Sequence, residues 1–100
     1  MLVCVSLDHH RVDFDLLGTI ERHTEPLIEA LADPSLSTGS VVLATCNRFE
    51  AYLDVASTEQ VDLTFERLAS ITGVAEAQLR DLTRVHQDLD VAEHLFSVAG

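Results

Sequence analysis

Cys46 stands between Thr45 and Asn47, two positions before Arg48, at the end of the apolar run Val41-Val42-Leu43-Ala44. A cysteine acts as a nucleophile in its thiolate form, which a neighbouring cation stabilises. A thiolate adds to an activated carbonyl and yields a thioester, itself open to further attack. Thr45, Asn47 and Arg48 bring hydrogen-bond donors that suit a bound substrate or a developing oxyanion. The plainer alternative is that Cys46 is a small buried hydrophobe, the commoner state of a free cysteine. Arg48 and Glu50 likewise read either as site residues or as an exposed ion pair of little energetic weight. His94 lies on the apolar stripe of a helix with Asp90 one turn earlier, so a satisfied core histidine competes with a catalytic one. His9 and His10, with one of the two cysteines, raise a metal site as a rival. Adjacent side chains on an extended segment point to opposite sides, however, and no Cys-x-x-Cys or His-x-x-x-His spacing supports ligation. No metal is expected.

Such residues need a frame. Leu2–Leu7 is short, β-branched and bounded by Asp8-His9-His10-Arg11, which predicts a buried strand. Val12–Leu31 turns to helical spacing, with Leu17, Ile20, Leu27 and Leu31 near one face. Gly18 and Pro26 point to a break or to two shorter helices there. Asp33-Pro34 and Ser35–Ser40 form a loop. Val41–Ala44 reads as a second buried strand. Phe49–Val55 alternates, with Phe49, Ala51, Leu53 and Val55 on one side and Glu50, Tyr52 and Asp54 on the other. Thr45–Arg48 is then the tight connection of a hairpin.

Ser57 and Gln60 have the spacing of a capping box, opening a helix through Val61, Phe65, Leu68 and Ile71 that Gly73 closes. A short helical piece at Glu76–Leu79 leads to a fourth strand, Leu82–His86. Asp88 or Asp90 is placed to cap a last helix carrying Val91, His94, Leu95 and Val98. The order predicts one α+β domain over residues 1–100, a ferredoxin-like βαββαβ sandwich with an additional C-terminal helix.

The formal net charge is -11, and all six cations are arginines. Phosphate binding depends on clustered Lys and Arg, so this segment is not expected to hold a nucleic acid by itself. No apolar run reaches the roughly 20 residues that span a bilayer. The short apolar start lacks the features of a signal peptide. A cytoplasmic protein with free thiols and no membrane contact is expected.

The string Thr45-Cys46-Asn47-Arg48-Phe49-Glu50-Ala51-Tyr52, after Val41-Val42-Leu43, resembles the active-site signature of the glutamyl-tRNA reductases. Thr45, Cys46, Asn47, Arg48, Glu50 and Tyr52 occupy its defined positions. His86-Gln87-Asp88 and Ala92–Gly100 resemble the family's histidine-bearing segment, so the likeness covers nearly the whole chain. The turn Asp8-His9-His10-Arg11-Val12-Asp13 departs from the family's pattern, which carries Ala-Pro after its histidine.

The resemblance implies a mechanism. Cys46 attacks the ester carbonyl of glutamyl-tRNA, forms a thioester and frees the tRNA. NADPH then reduces the thioester to glutamate-1-semialdehyde, an early intermediate of tetrapyrrole (porphyrin and haem) biosynthesis. Thr45, Asn47, Arg48 and Glu50 bind the substrate, Arg48 suiting a carboxylate and Glu50 an ammonium. His94 matches the active-site histidine, and His9 the family's N-terminal histidine, with His10 as the alternative. The resemblance also implies a homodimer in the full-length protein, made through a helical region that this chain lacks.

The glycines at 18, 39, 73 and 100 are too dispersed for a dinucleotide fingerprint. NADPH is therefore expected on a domain absent from this chain, and the chain alone is expected to be inactive as a reductase. It reads as a segment of a longer protein. The rival class is a ferredoxin-like regulatory or protein-interaction module without catalysis, in which Cys46 is structural.

Overall fold

The computed structural model describes residues 1–88 together with Val91 and His94. The apolar start forms β1 (Leu2–Asp8), and the segment after the loop forms the hairpin of β2 (Gly39–Ala44) and β3 (Arg48–Asp54). With β4 (Arg84–Gln87) they make one sheet in the order β2-β3-β1-β4. Every neighbouring pair is antiparallel. Four helices complete the described elements: α1 (Phe14–Glu21), α2 (Thr24–Leu31), α3 (Thr58–Thr72) and α4 (Glu76–Leu82). The class is thus mixed α and β, as expected. Val91 and His94 are helical, and the Val91 amide donates to the Asp88 carbonyl. The rest of the expected C-terminal helix, including Asp90, Leu95 and Val98, lies outside the described residues.

The strands sort their side chains by alternation. Val3, Val5 and Leu7 of β1 and Phe49, Ala51 and Leu53 of β3 join Leu17, Ile20, Leu27, Leu31, Phe65, Leu68 and Leu79 of the helices in one buried cluster. That is the core. Residues of opposite parity share the other face of the sheet, because paired strand positions point the same way. The register sets Val41, Tyr52, Cys4 and His86 in one row across the four strands, and Leu43, Glu50, Ser6 and Arg84 in the next.

Three local expectations need correction. The helical stretch does divide in two, but between Glu21 and Thr24 rather than at Gly18 or Pro26. Gly18 sits inside α1. Pro26 lies in the first turn of α2, where its missing N–H has no helical partner to lose. Second, β2 is an edge strand and not a buried one: Val41 is 58% exposed and Leu43 43%. Third, β4 starts at Arg84, because Leu82 still belongs to α4.

Elsewhere local chemistry works as read. The Ser57 amide donates to Gln60 Oε1 at 3.0 Å, and Gly73 ends α3 with φ 77°, the left-handed conformation glycine adopts without a Cβ clash. Arg67 of α3 donates to the Ala30 carbonyl at 2.7 Å and pairs with Asp33 at 2.9 Å, fixing the helix layer against the loop before β2. Among the described residues, no helix is long and apolar enough to cross a membrane.

Candidate active site

The hairpin turn holds Cys46 outward. Thr45 N–H donates to the Arg48 carbonyl at 2.9 Å, and Thr45 Oγ1 accepts from the amides of Asn47 and Arg48 at 3.2 and 3.3 Å. These bonds define the turn through its backbone and the threonine, which leaves Cys46 and Asn47 exposed. The amide of His9 donates to the Asn47 carbonyl at 3.0 Å, so the turn after β1 is tied to the turn after β2. His9 stacks on Phe14 with ring centroids 6.0 Å apart, and its ring lies 4.0 Å from that of His10. Thr45, Cys46, Asn47 and His9 are therefore neighbours at one end of the sheet.

Behind that turn is a buried polar cluster centred on Glu50, whose side chain is wholly buried. Arg48 Nη1 donates to its Oε1 at 3.1 Å. The Tyr52 hydroxyl donates to Oε2 at 3.0 Å, and the Cys4 thiol approaches the same oxygen at 3.6 Å. His94 Nε2 is hydrogen-bonded to Oε2 at 2.5 Å, which requires the tautomer with its proton on Nε2 when the carboxylate accepts. The ring of His94 stacks on that of His86, with centroids 4.2 Å apart.

The sequence order explains this convergence. Arg48, Glu50 and Tyr52 alternate onto one face of β3, and β1 presents Cys4 directly opposite Tyr52. Arg48 is the link between the two halves. Its guanidinium is held by Glu50, yet its side chain remains 33% exposed. That suits a cation offered to an anionic ligand while its own orientation is fixed.

Burial acts strongly on Cys4. Loss of solvent around the thiol, followed by the charge and hydrogen bond of Glu50, raises its pKa from 9.0 to about 12. Desolvation, with Cys4 and Glu50 nearby, also raises the Tyr52 phenol from 10.0. Cys4 is a donor here and not a nucleophile. A group whose folded pKa exceeds its unfolded value contributes stability that is complete below the unfolded value and lost as pH rises toward the folded one. Between pH 9 and 10 unfolding free energy should fall as pH rises, with Cys4 carrying most of the slope and Tyr52, whose unfolded phenol begins to ionise there, adding to it toward pH 10. Denaturant titrations at stepped pH measure it. Cys4→Ala should flatten that interval, and an unchanged slope in the variant would remove Cys4 as its source.

The expected site residues thus fall into two connected groups. Thr45, Cys46, Asn47 and His9 gather at the hairpin end, and Glu50 and His94 meet beneath it with Arg48 between. Local spacing does not place Cys4 in the cluster, and it gives Tyr52 no role there beyond its side of the strand. The available signal was period-two alternation: Cys4 and Ser6 share the parity of a strand face that meets Glu50 and Tyr52 only once β1 and β3 are paired. Glu50 is no exposed ion pair. Among the described residues, His9 and His10 do not join a cysteine in a group of potential metal ligands.

The model of the family described as glutamyl-tRNAGlu reductase, N-terminal domain, matches residues 5–100. This chain belongs to that family. Its similarity to individual members runs from end to end. A glutamyl-tRNA reductase of Clavibacter michiganensis subsp. michiganensis is 37% identical over 107 residues, covering 100% of this chain and 24% of that protein. One of Tropheryma whipplei (strain Twist) is 29% identical over 99% of the chain and 24% of its own length. One of Thermobifida fusca is 30% identical over 98% of the chain and 21% of its own length. The chain spans about a quarter of the curated relatives it matches. The turn with Cys46 and, of the Glu50 cluster, Arg48, Glu50, Tyr52 and His94 fall inside the matched residues, with Cys4 one position before them.

Proposed function

We propose that this chain is the catalytic N-terminal segment of a cytoplasmic glutamyl-tRNA reductase, an oxidoreductase of tetrapyrrole synthesis, and that it performs the acyl-transfer half of the reaction. The observation that carries this is the exposed Cys46 at the hairpin turn, two positions before the partly exposed Arg48, within a family match over residues 5–100. The Cys46 sulfur attacks the glutamyl ester carbonyl. The carbon–sulfur bond forms, the ester carbon–oxygen bond breaks, and the terminal ribose oxygen of the tRNA leaves with a proton.

Arg48 meets the substrate's carboxylate, and the exposed Thr45 and Asn47 line the approach with His9. His94, held by Glu50, is the candidate for polarising the carbonyl or carrying the proton to the leaving oxygen. Glu50 has its oxygens engaged by Arg48, Tyr52, Cys4 and His94. That favours a positioning role over capture of the substrate ammonium. The fold reading that goes with this proposal is a ferredoxin-like sandwich, supported by the antiparallel order β2-β3-β1-β4.

NADPH supplies hydride in the complete reaction. The described residues do not fit it: Gly18 lies inside α1, Gly39 opens β2 and Gly73 ends α3, so these three form no phosphate cradle. The reductive half and the homodimer contacts are assigned to the rest of the full-length protein. The net charge of -11 similarly puts most of the grip on the tRNA elsewhere.

Thioester trapping tests the proposal. The full-length protein is mixed with radiolabelled glutamyl-tRNA without NADPH, quenched in acid and digested. Label on the peptide containing Cys46 is expected. Label on another peptide, or none from an otherwise active enzyme, would overturn it and favour the module reading, in which the thiol is inert.

A further inference from the structure

Cys4, Glu50 and His94 bring a sulfur, a carboxylate oxygen and an imidazole nitrogen within 4.8 Å of one another. We propose that these three side chains form a binding site for a divalent transition ion of the zinc class, separate from the Cys46 thiol. The donor set carries the choice of ion: thiolate, imidazole and carboxylate together suit Zn(II), whereas magnesium and calcium require oxygen donors. Tetrahedral bonds of about 2.0–2.3 Å place ligand atoms roughly 3.3–3.7 Å apart. The Cys4–Glu50 separation of 3.6 Å already matches that spacing. His94 and Glu50, now 2.5 Å apart, need to part by about 1 Å to admit the ion.

The surroundings support ligation. Cys4 and Glu50 are wholly buried on paired central strands, so two ligands are held by the sheet itself. Arg48 and Tyr52 hydrogen-bond the Glu50 carboxylate, and the His94 ring is stacked on His86. Outer contacts of this kind orient ligands and raise affinity. On binding, the Cys4 thiol gives its proton to solvent and the sulfur bonds the metal. Three protein ligands leave a fourth position open, and His94 is the one partly exposed member of the set. Occupancy engages Glu50 and His94, the same pair that holds the site behind Cys46, so ion binding and the proposed acyl transfer exclude each other at His94.

The inference does not rest on that acyl transfer and is tested without substrate. Co(II) and then Zn(II) are titrated into the full-length protein carrying Cys46→Ser, which removes the exposed thiol, and into the same protein with Cys4→Ser added. The expected result is a one-equivalent thiolate-to-cobalt charge-transfer band in the first protein, displaced by Zn(II) and lost in the second. Adding His94→Ala, which leaves the sulfur in place, should weaken Zn(II) binding at least ~10-fold, the size of effect expected for an essential ligand. Circular dichroism verifies that each variant is folded. No band at excess Co(II), or a band of equal strength with Cys4→Ser, overturns the proposal. Loss of thioester trapping, by contrast, would leave it untouched.

Discussion

In the full-length protein, Cys46→Ser should abolish release of glutamate from charged tRNA and, with it, NADPH oxidation. A serine hydroxyl ionises far less readily than a thiol at neutral pH and forms an oxygen ester where the sulfur would form a thioester. Removing a nucleophile while its binding groups remain costs about 10³-fold or more. Stability should hardly move. Cys46 is exposed, and the turn is made by backbone bonds of Thr45, Arg48, His9 and Asn47 that do not involve its sulfur. Surface changes of this kind stay within about 0.5 kcal/mol. Single-turnover deacylation, NADPH absorbance and thermal melts on the same preparation check the three parts together. Normal deacylation by the variant would remove Cys46 as the nucleophile, and failure to fold would show up in the melt before the kinetics were interpreted.

That separation between chemistry and stability follows from where the sequence was and was not informative. The turn at Thr45–Arg48, the cap at Ser57–Gln60 and the stop at Gly73 depend on neighbours within a few positions, and local spacing exposes them. The Glu50 cluster depends on pairing over long range. Glu50 meets Cys4 across 46 positions and His94 across 44. Alternation along β3 correctly put Glu50 and Tyr52 on the side opposite Phe49. It carries no sign that this second side is buried, because burial comes from β1 beside it and from His94 above.

The same cause explains β2. Val41-Val42-Leu43-Ala44 has no alternation in its residue types, yet its exposures alternate, because an edge strand keeps one face open even when that face carries valine and leucine. The break between α1 and α2 was misplaced for a different reason. Glycine and proline are penalised in helix interiors on average, but a first-turn proline costs little and a helical glycine costs about 1 kcal/mol, which packing of Leu17 and Ile20 into the core offsets.

Glu50→Gln should lower the stability of the domain by about 2 kcal/mol, a fall in Tm on the order of 10 °C for a domain of this size. The change is small in volume, so the argument is one of donors and acceptors. Glu50 offers two acceptor oxygens, which receive Arg48 on one and Tyr52, Cys4 and His94 on the other. A glutamine keeps one oxygen and turns the other position into an NH₂ donor. Whichever way the amide is set, at least one of these donors faces another donor, in a site where Glu50 and Cys4 have no access to water. Leaving a buried polar group unmatched costs roughly 1–3 kcal/mol, and the lost attraction to Arg48 adds to it.

Tyr52→Phe removes one of the competing donors, so the double variant should be less destabilised than the sum of the two single changes. Chemical denaturation of the four proteins of this cycle gives the coupling directly. A Glu50→Gln protein with unchanged Tm and a raised KM for glutamyl-tRNA alone would instead make Glu50 a direct contact for the substrate. A lowered Tm with a reduced kcat is the result expected of a carboxylate that holds Arg48 and His94 in place for the reaction at Cys46.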